Sequence, residues 1–230
     1  MKRTLWIALV LVSLQVFGGD KWYMGSGSTY RLVGISNAAR HRETRHQLSL
    51  CFNAMRVQSL KFPEGTTITF RNGSTKDGFP VTYNNGNGDY TILVTCLETE
   101  FFMRIVFQAS HEIGHVYIGQ MHPGMSLQHR EAFCGALSYW GLRYAETIWD
   151  HLKNYPKGTT DDYINETISE LEHRYGKSSE EVLNMRISEM NHDTALFFGF
   201  LTAQQNDDMF TTMKKLGIEP TEKVSEPSRK

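Results

Sequence analysis

Apolar side chains return at helical spacing along residues 101–120, FFMRIVFQASHEIGHVYIGQ, at Phe102, Ile105, Val106, Ala109, Ile113 and Val116. That spacing predicts an amphipathic and largely buried helix. The same period runs earlier, over 38–58, where Leu48, Cys51, Phe52 and Met55 recur behind Asn37, a residue suited to cap the helix. Between the two helices the pattern shortens. Runs at 30–35, 66–70, 79–83 and 90–96 read as strands, and YTILVTC at 90–96 is the clearest of them. Asn72-Gly73 marks a turn, and NNGNGD at 84–89 marks a hairpin. Residues 20–28, DKWYMGSGS, read as a loop. Thr95 and Glu98 have the spacing of a capping box that would open the helix at 101–120.

After a break at 121–128, holding Pro123 and Gly124, a second long helix is expected over 128–152. Residues 159–162 cap a third helix ending near Gly176, and residues 178–181 cap a fourth reaching about Met190. The apolar stretch 193–204 reads as a core helix in preference to a partner-binding surface, and 207–216 as a short last helix. A helix, then strands, then helices is an α+β order: a small N-terminal mixed sheet with a helix, followed by a helical C-terminal part.

Length and composition fit one domain: 230 residues, 40% hydrophobic and 21% charged. The formal net charge of -1 gives no general pull toward nucleic acid or anionic membranes. Lys2 and Arg3 precede an apolar run at 5–17, with Gly18 and Gly19 after it, which is the pattern of a secretory signal peptide over 1–19. The run is too short and wrongly flanked for a stable membrane span, so the product is expected to be secreted or periplasmic. An uncleaved anchor is the alternative. The domain then occupies 20–222, and 223–230 reads as a disordered tail. Export permits a disulfide, with Cys51 and Cys96 as the pair to test, and leaves Cys134 as a buried free thiol.

The helix at 101–120 carries His111-Glu112-Ile113-Gly114-His115. Residues i and i+4 lie one turn apart on one helix face, so His111 and His115 can hold one metal ion from a single rigid element. Glu112 stands beside the first ligand, where it can reach a metal-bound water. Zinc suits two imidazoles and a site with an open position. The plainer reading is a core helix that carries two histidines, but buried polar groups on an apolar helix need partners, and a metal supplies them. A catalytic zinc takes a third protein ligand. Glu131, across the break and near the start of the next helix, is the first choice. His122 is the competitor and His129 a weaker one. The remaining histidines, His41, His46, His151, His173 and His192, lie in polar surroundings without metal spacing.

HEIGH followed by Glu131 in REAFCGALS resembles the gluzincin branch of the zincin metallopeptidases, over roughly residues 90–144. The stretch from His115 to His122 also resembles the metzincin pattern HExxHxxGxxH, with its glycine and last histidine one residue late. The gluzincin resemblance implies a zincin-like fold with the strand at 90–96 flanking the cleft, an edge strand taking an extended substrate, zinc on His111, His115 and Glu131, and Glu112 as general base. It implies hydrolysis of a peptide or protein substrate. The chain departs from the large gluzincins in its compact C-terminal part and in Arg130, which stands beside Glu131 where they carry a second acidic residue. Tyr139, Arg143 and Tyr144 are candidates to stabilise the oxyanion, with Tyr117 and His122 also available, and Glu146 and Asp150 are candidates to orient the histidines. The alternatives are a zincin-like domain that binds without cleaving, and a metal hydrolase acting on a non-peptide bond. Nothing in the sequence bears on oligomeric state.

Overall fold

The computed structural model describes residues 21–25, 27–95, 97, 102–149 and 159–220. Five strands form one mixed sheet: β1 (Lys21–Gly25), β2 (Ser28–Val33), β3 (Thr67–Asn72), β4 (Val81–Gly86) and β5 (Asp89–Val94), in the order β1-β2-β3-β5-β4. β2, β3 and β5 run parallel, and the two edge strands run antiparallel to their neighbours. Helix α1 (Ala38–Val57) crosses from β2 to β3. Helices α2 (Phe102–Met121), α3 (Leu127–Trp149), α4 (Thr159–Tyr175), α5 (Ser179–Leu183), α6 (His192–Gln204) and α7 (Met209–Lys215) follow the sheet. This is the expected α+β order.

Alternation builds the sheet. Successive strand residues point to opposite faces, and in β2 and β5 every second residue is buried. Tyr30, Leu32, Ile68, Phe70, Ile92 and Val94 are all nearly or wholly buried. Tyr30 meets Phe52 of α1 with ring centroids 4.7 Å apart, and Phe70 meets Phe52 edge-on at 6.0 Å. Asn37 caps α1 as expected, its Oδ1 accepting from the N–H groups of Ala39 and Arg40 at 3.0 Å each. The β4–β5 turn falls where the sequence places it. Asn87 (φ 51) and Gly88 (φ 76) both have positive φ, as the favoured two-residue hairpin turn requires.

Three expectations need correction. Residues 20–28 contain a strand as well as a turn: Trp22 and Met24 pack on the core while Tyr23 is exposed, and β1 folds back on β2. The run is short and flanked by glycines, which hides a period of two. The strand expected at 90–96 forms as β5 inside the sheet, and the edge beside it is β4, whose place the sequence reading left open. Thr95 does not cap α2, because its N–H and hydroxyl reach Gln108 Oε1 at 3.1 and 3.0 Å; its expected partner Glu98 lies outside the described residues. The fourth helix keeps its capping box of Ser178 and Glu181 but stops at Leu183, with a single 3-10 turn at Ile187–Glu189 after it. The expected leader at 1–19, the tail at 223–230, Cys96, Asp150 and His151 lie outside the described residues.

Small residues bring the helices together. A Cβ on Gly199 of α6 would stand 1.7 Å from the carbonyl oxygen of Ala132 on α3, and one on Gly135 of α3 would stand 2.1 Å from that of Leu196 on α6. A Cβ on Gly141 would stand 2.2 Å from Ser110 Oγ, and one on Gly114 would stand 2.9 Å from Cys134 Sγ. Helix α3 therefore lies with its backbone almost on α6 and close to α2. Ser138 Oγ also donates to the carbonyl of Phe107 at 3.1 Å. Pairing Gly114 with Cys134 and Ser110 with Gly141 makes α2 and α3 antiparallel.

Candidate metal centre

Helix α2 supplies the first two donors. His111 and His115 are one turn apart, and their Nε2 atoms lie 3.1 Å from each other. The turn after α2 decides what meets them. His122 N–H donates to the carbonyl of Ile118 at 2.9 Å, and the Arg130 guanidinium donates to the carbonyls of Met125 and Pro123. Arg130 thus ties the turn to the start of α3 and sets Glu131 over the histidine face. Glu131 Oε2 is 3.4 Å from His111 Nε2, and Oε1 is 3.5 Å from His115 Nε2.

These separations fit zinc. Bonds of about 2.0–2.1 Å in a tetrahedral site place donors about 3.3–3.4 Å apart; the two Nε2 atoms are 3.1 Å apart, and each has one Glu131 oxygen close by, Oε2 at 3.4 Å from His111 and Oε1 at 3.5 Å from His115. Glu131 Oε2 is buried and has no hydrogen-bond partner, which costs free energy unless a cation sits against it. Cys134, one turn beyond Glu131, also has a donor atom within 4.8 Å of the two histidines. It is wedged beneath Gly114, and burial pushes its thiol well above the ordinary range. Glu131 and Cys134 are thus the two candidates for a third donor beside the histidines.

Charge follows the same geometry. Burial alone would raise the Glu131 carboxyl, but the His111 and His192 rings against it outweigh that and hold the group well below the usual carboxylate range. Burial, with the His111 charge beside it, lowers His115 to about 4. Burial works to lower His111 too, but Glu131 and Glu112 hold it above its ordinary value. Glu112 is raised by burial, with His111 and Thr82 pulling the other way. Thr82 of β4 donates its hydroxyl to Glu112 Oε2 at 2.7 Å.

A cleft of about 1080 Å³ opens over the site. His111, Glu112 and His115 form its floor, Phe79, Thr82 and Asn84 one wall, and Tyr163, Glu170 and His192 the other. The wall at Thr82 is the edge strand β4.

Several expected contributors stay away. Tyr139, Arg143 and Tyr144 do not line the cleft. Tyr139 stacks edge-on against Phe200 and Trp140, Arg143 pairs with Glu146 and Asp161, and Tyr144 packs against the core. Tyr117 stacks on Phe133 in the core. His122 is not a ligand: α2 runs on past Gly119, and seven residues of helix carry His122 about 10 Å along the axis from His115. His129 bonds Ser126 and faces Gly217. Among the expected orienting residues, Glu146 pairs with Arg143, and His111 Nδ1 is buried with no hydrogen-bond partner. Cys51 is a buried free thiol whose Sγ faces the carbonyls of Gln47 and Val106, and Cys134 is free and buried as expected.

Two residues join the site that the sequence reading did not place there: Thr82, which it did not single out, and His192, which it set aside as a histidine in polar surroundings. Thr82 reaches Glu112 because the β4–β5 register carries it there, and no local motif marks it. His192 reaches Glu131, its Nε2 lying 3.1 Å from Oε1. Its Nδ1 lies 3.1 Å from Asp193 Oδ1. The Glu131 hydrogen bond is the main cause that lifts His192 to about 9. No family model, no curated protein and no solved structure matches the chain.

Proposed function

We propose that the chain is an exported zinc-dependent peptidase with a zincin-like arrangement and a gluzincin-type ligand set, acting on a peptide or protein substrate. One observation carries the reading: two imidazole nitrogens on the floor of a cleft lie 3.1 Å apart, each with an oxygen of the buried Glu131 carboxylate at 3.4–3.5 Å, and Glu112 is adjacent. The leader pattern at 1–19 supports export.

His111, His115 and Glu131 would hold the zinc, which supplies a Lewis acid that lowers the pKa of water and polarises a scissile carbonyl. Glu112 takes the proton from the attacking water while the water oxygen bonds to the carbonyl carbon. The same carboxyl then gives that proton to the leaving nitrogen as the C–N bond breaks. Thr82 holds Glu112 Oε2, which leaves the other carboxylate oxygen for the water. The free edge of β4 suits an extended peptide, since strand addition satisfies backbone groups on both chains.

The test is a peptide-library digest by the zinc-loaded protein beside Glu112→Gln. Cleavage by wild type and not by the variant supports the proposal. A zinc-loaded wild type that leaves every peptide intact contradicts it.

A further inference from the structure

Glu131 has two oxygens, and the structure treats them differently. Oε2 faces His111 at 3.4 Å and has no hydrogen-bond partner, whereas Oε1 lies 3.5 Å from His115 Nε2 and carries His192 Nε2 at 3.1 Å. His192 stands on the first turn of α6 with its side chain 53% exposed in the cleft, and Asp193 holds its other ring nitrogen at 3.1 Å. Among the described residues, no hydrogen bond joins His192 to His111 or His115. The approach of His192 to Glu131 is set by packing, because α3 and α6 touch backbone to backbone at Gly135 and Gly199.

We infer that His192 is a positioning residue: it holds Oε1 of Glu131 and so fixes the carboxylate, with Oε2 against His111 and Oε1 against His115, before a metal binds. The inference rests on the zinc reading above. A carboxylate bonded on one side only is free to rotate, and a hydrogen bond on the other oxygen removes that freedom before the ion arrives. Partners of this kind change metal affinity by about 10–100-fold. The half-exposed ring places His192 at the lower end, at about tenfold.

The experiment is zinc affinity of the full chain by competition with a chromophoric chelator, for wild type, His192→Ala, His192→Gln and Glu131→Ala, with the melting temperature of each metal-free protein alongside. The expected result is a dissociation constant raised about tenfold by His192→Ala and largely restored by His192→Gln, whose amide keeps an N–H donor near the same place. The metal-free melting temperatures of wild type, His192→Ala and His192→Gln should agree within about 2 °C. Unchanged affinity in His192→Ala overturns the inference and leaves the zinc reading standing. Loss as complete as in Glu131→Ala also overturns it, making His192 a direct ligand. A folded wild type that binds no zinc overturns both.

Discussion

Glu112, the proposed general base, sits 3% exposed beside two histidines. Burial destabilises its charged form, so its pKa lies above the ordinary 4.5. The base must be deprotonated to accept a proton. The proposed peptidase activity is therefore expected above that raised pKa and lost as pH falls through it. The acidic limb of kcat/KM is expected above pH 4.5, and a limb at or below 4.5 would contradict the burial argument. Replacing Glu112 with Gln keeps shape and removes the base, so kcat should fall about a thousandfold with zinc content unchanged. Thr82 acts through Glu112. Thr82→Val removes a hydroxyl that donates at 2.7 Å, with an expected loss of about tenfold in kcat, equivalent to about 1.4 kcal/mol, and little change in KM. Thr82→Ser should restore the rate. A raised KM with normal kcat would place Thr82 in substrate binding.

At the scale of elements, the site is held by helix crossings that only glycine permits. Gly199→Ala would drive a Cβ to 1.7 Å from the Ala132 carbonyl, so α3 and α6 must separate. A loss above about 2 kcal/mol is expected, read as a lower denaturant midpoint, with weaker zinc binding because Glu131 and His192 ride on the two helices. Gly119 is the control. A Cβ there meets nothing within 4 Å, and its helix is α2, so Gly119→Ala should be neutral or stabilise by up to about 1 kcal/mol. Similar losses at both glycines would show that space at the crossing is not what matters. The crossings also explain what is legible in the sequence. His111 and His115 are legible because one helix sets both, and Glu131 because a short turn folds α3 back on α2. His192 is not, since its place depends on the α3–α6 contact and no local spacing records it. Thr82 depends on strand order: β5 has the strongest strand pattern, yet β4, with four exposed residues out of six, forms the edge at the cleft.

At the scale of the molecule, the sheet and the helices support a cleft whose floor comes from α2, with Glu131 of α3 buried behind it and walls from β4, α4 and α6. A metal bound across α2 and α3 binds the folded state and not the unfolded chain, so it must stabilise the fold. Zinc at about 100 times its dissociation constant should add about 2.7 kcal/mol, and a chelator should remove that increment. An unchanged melting temperature on chelation of zinc-loaded protein would contradict a site shared between the two helices. The most direct measurement is zinc content by atomic emission for the purified wild type, Glu131→Ala, Cys134→Ala and His122→Ala. The account predicts one zinc per chain in the wild type, kept in the Cys134 and His122 variants and lost with Glu131→Ala. A folded wild type without zinc, or zinc lost with Cys134→Ala and kept with Glu131→Ala, would contradict it.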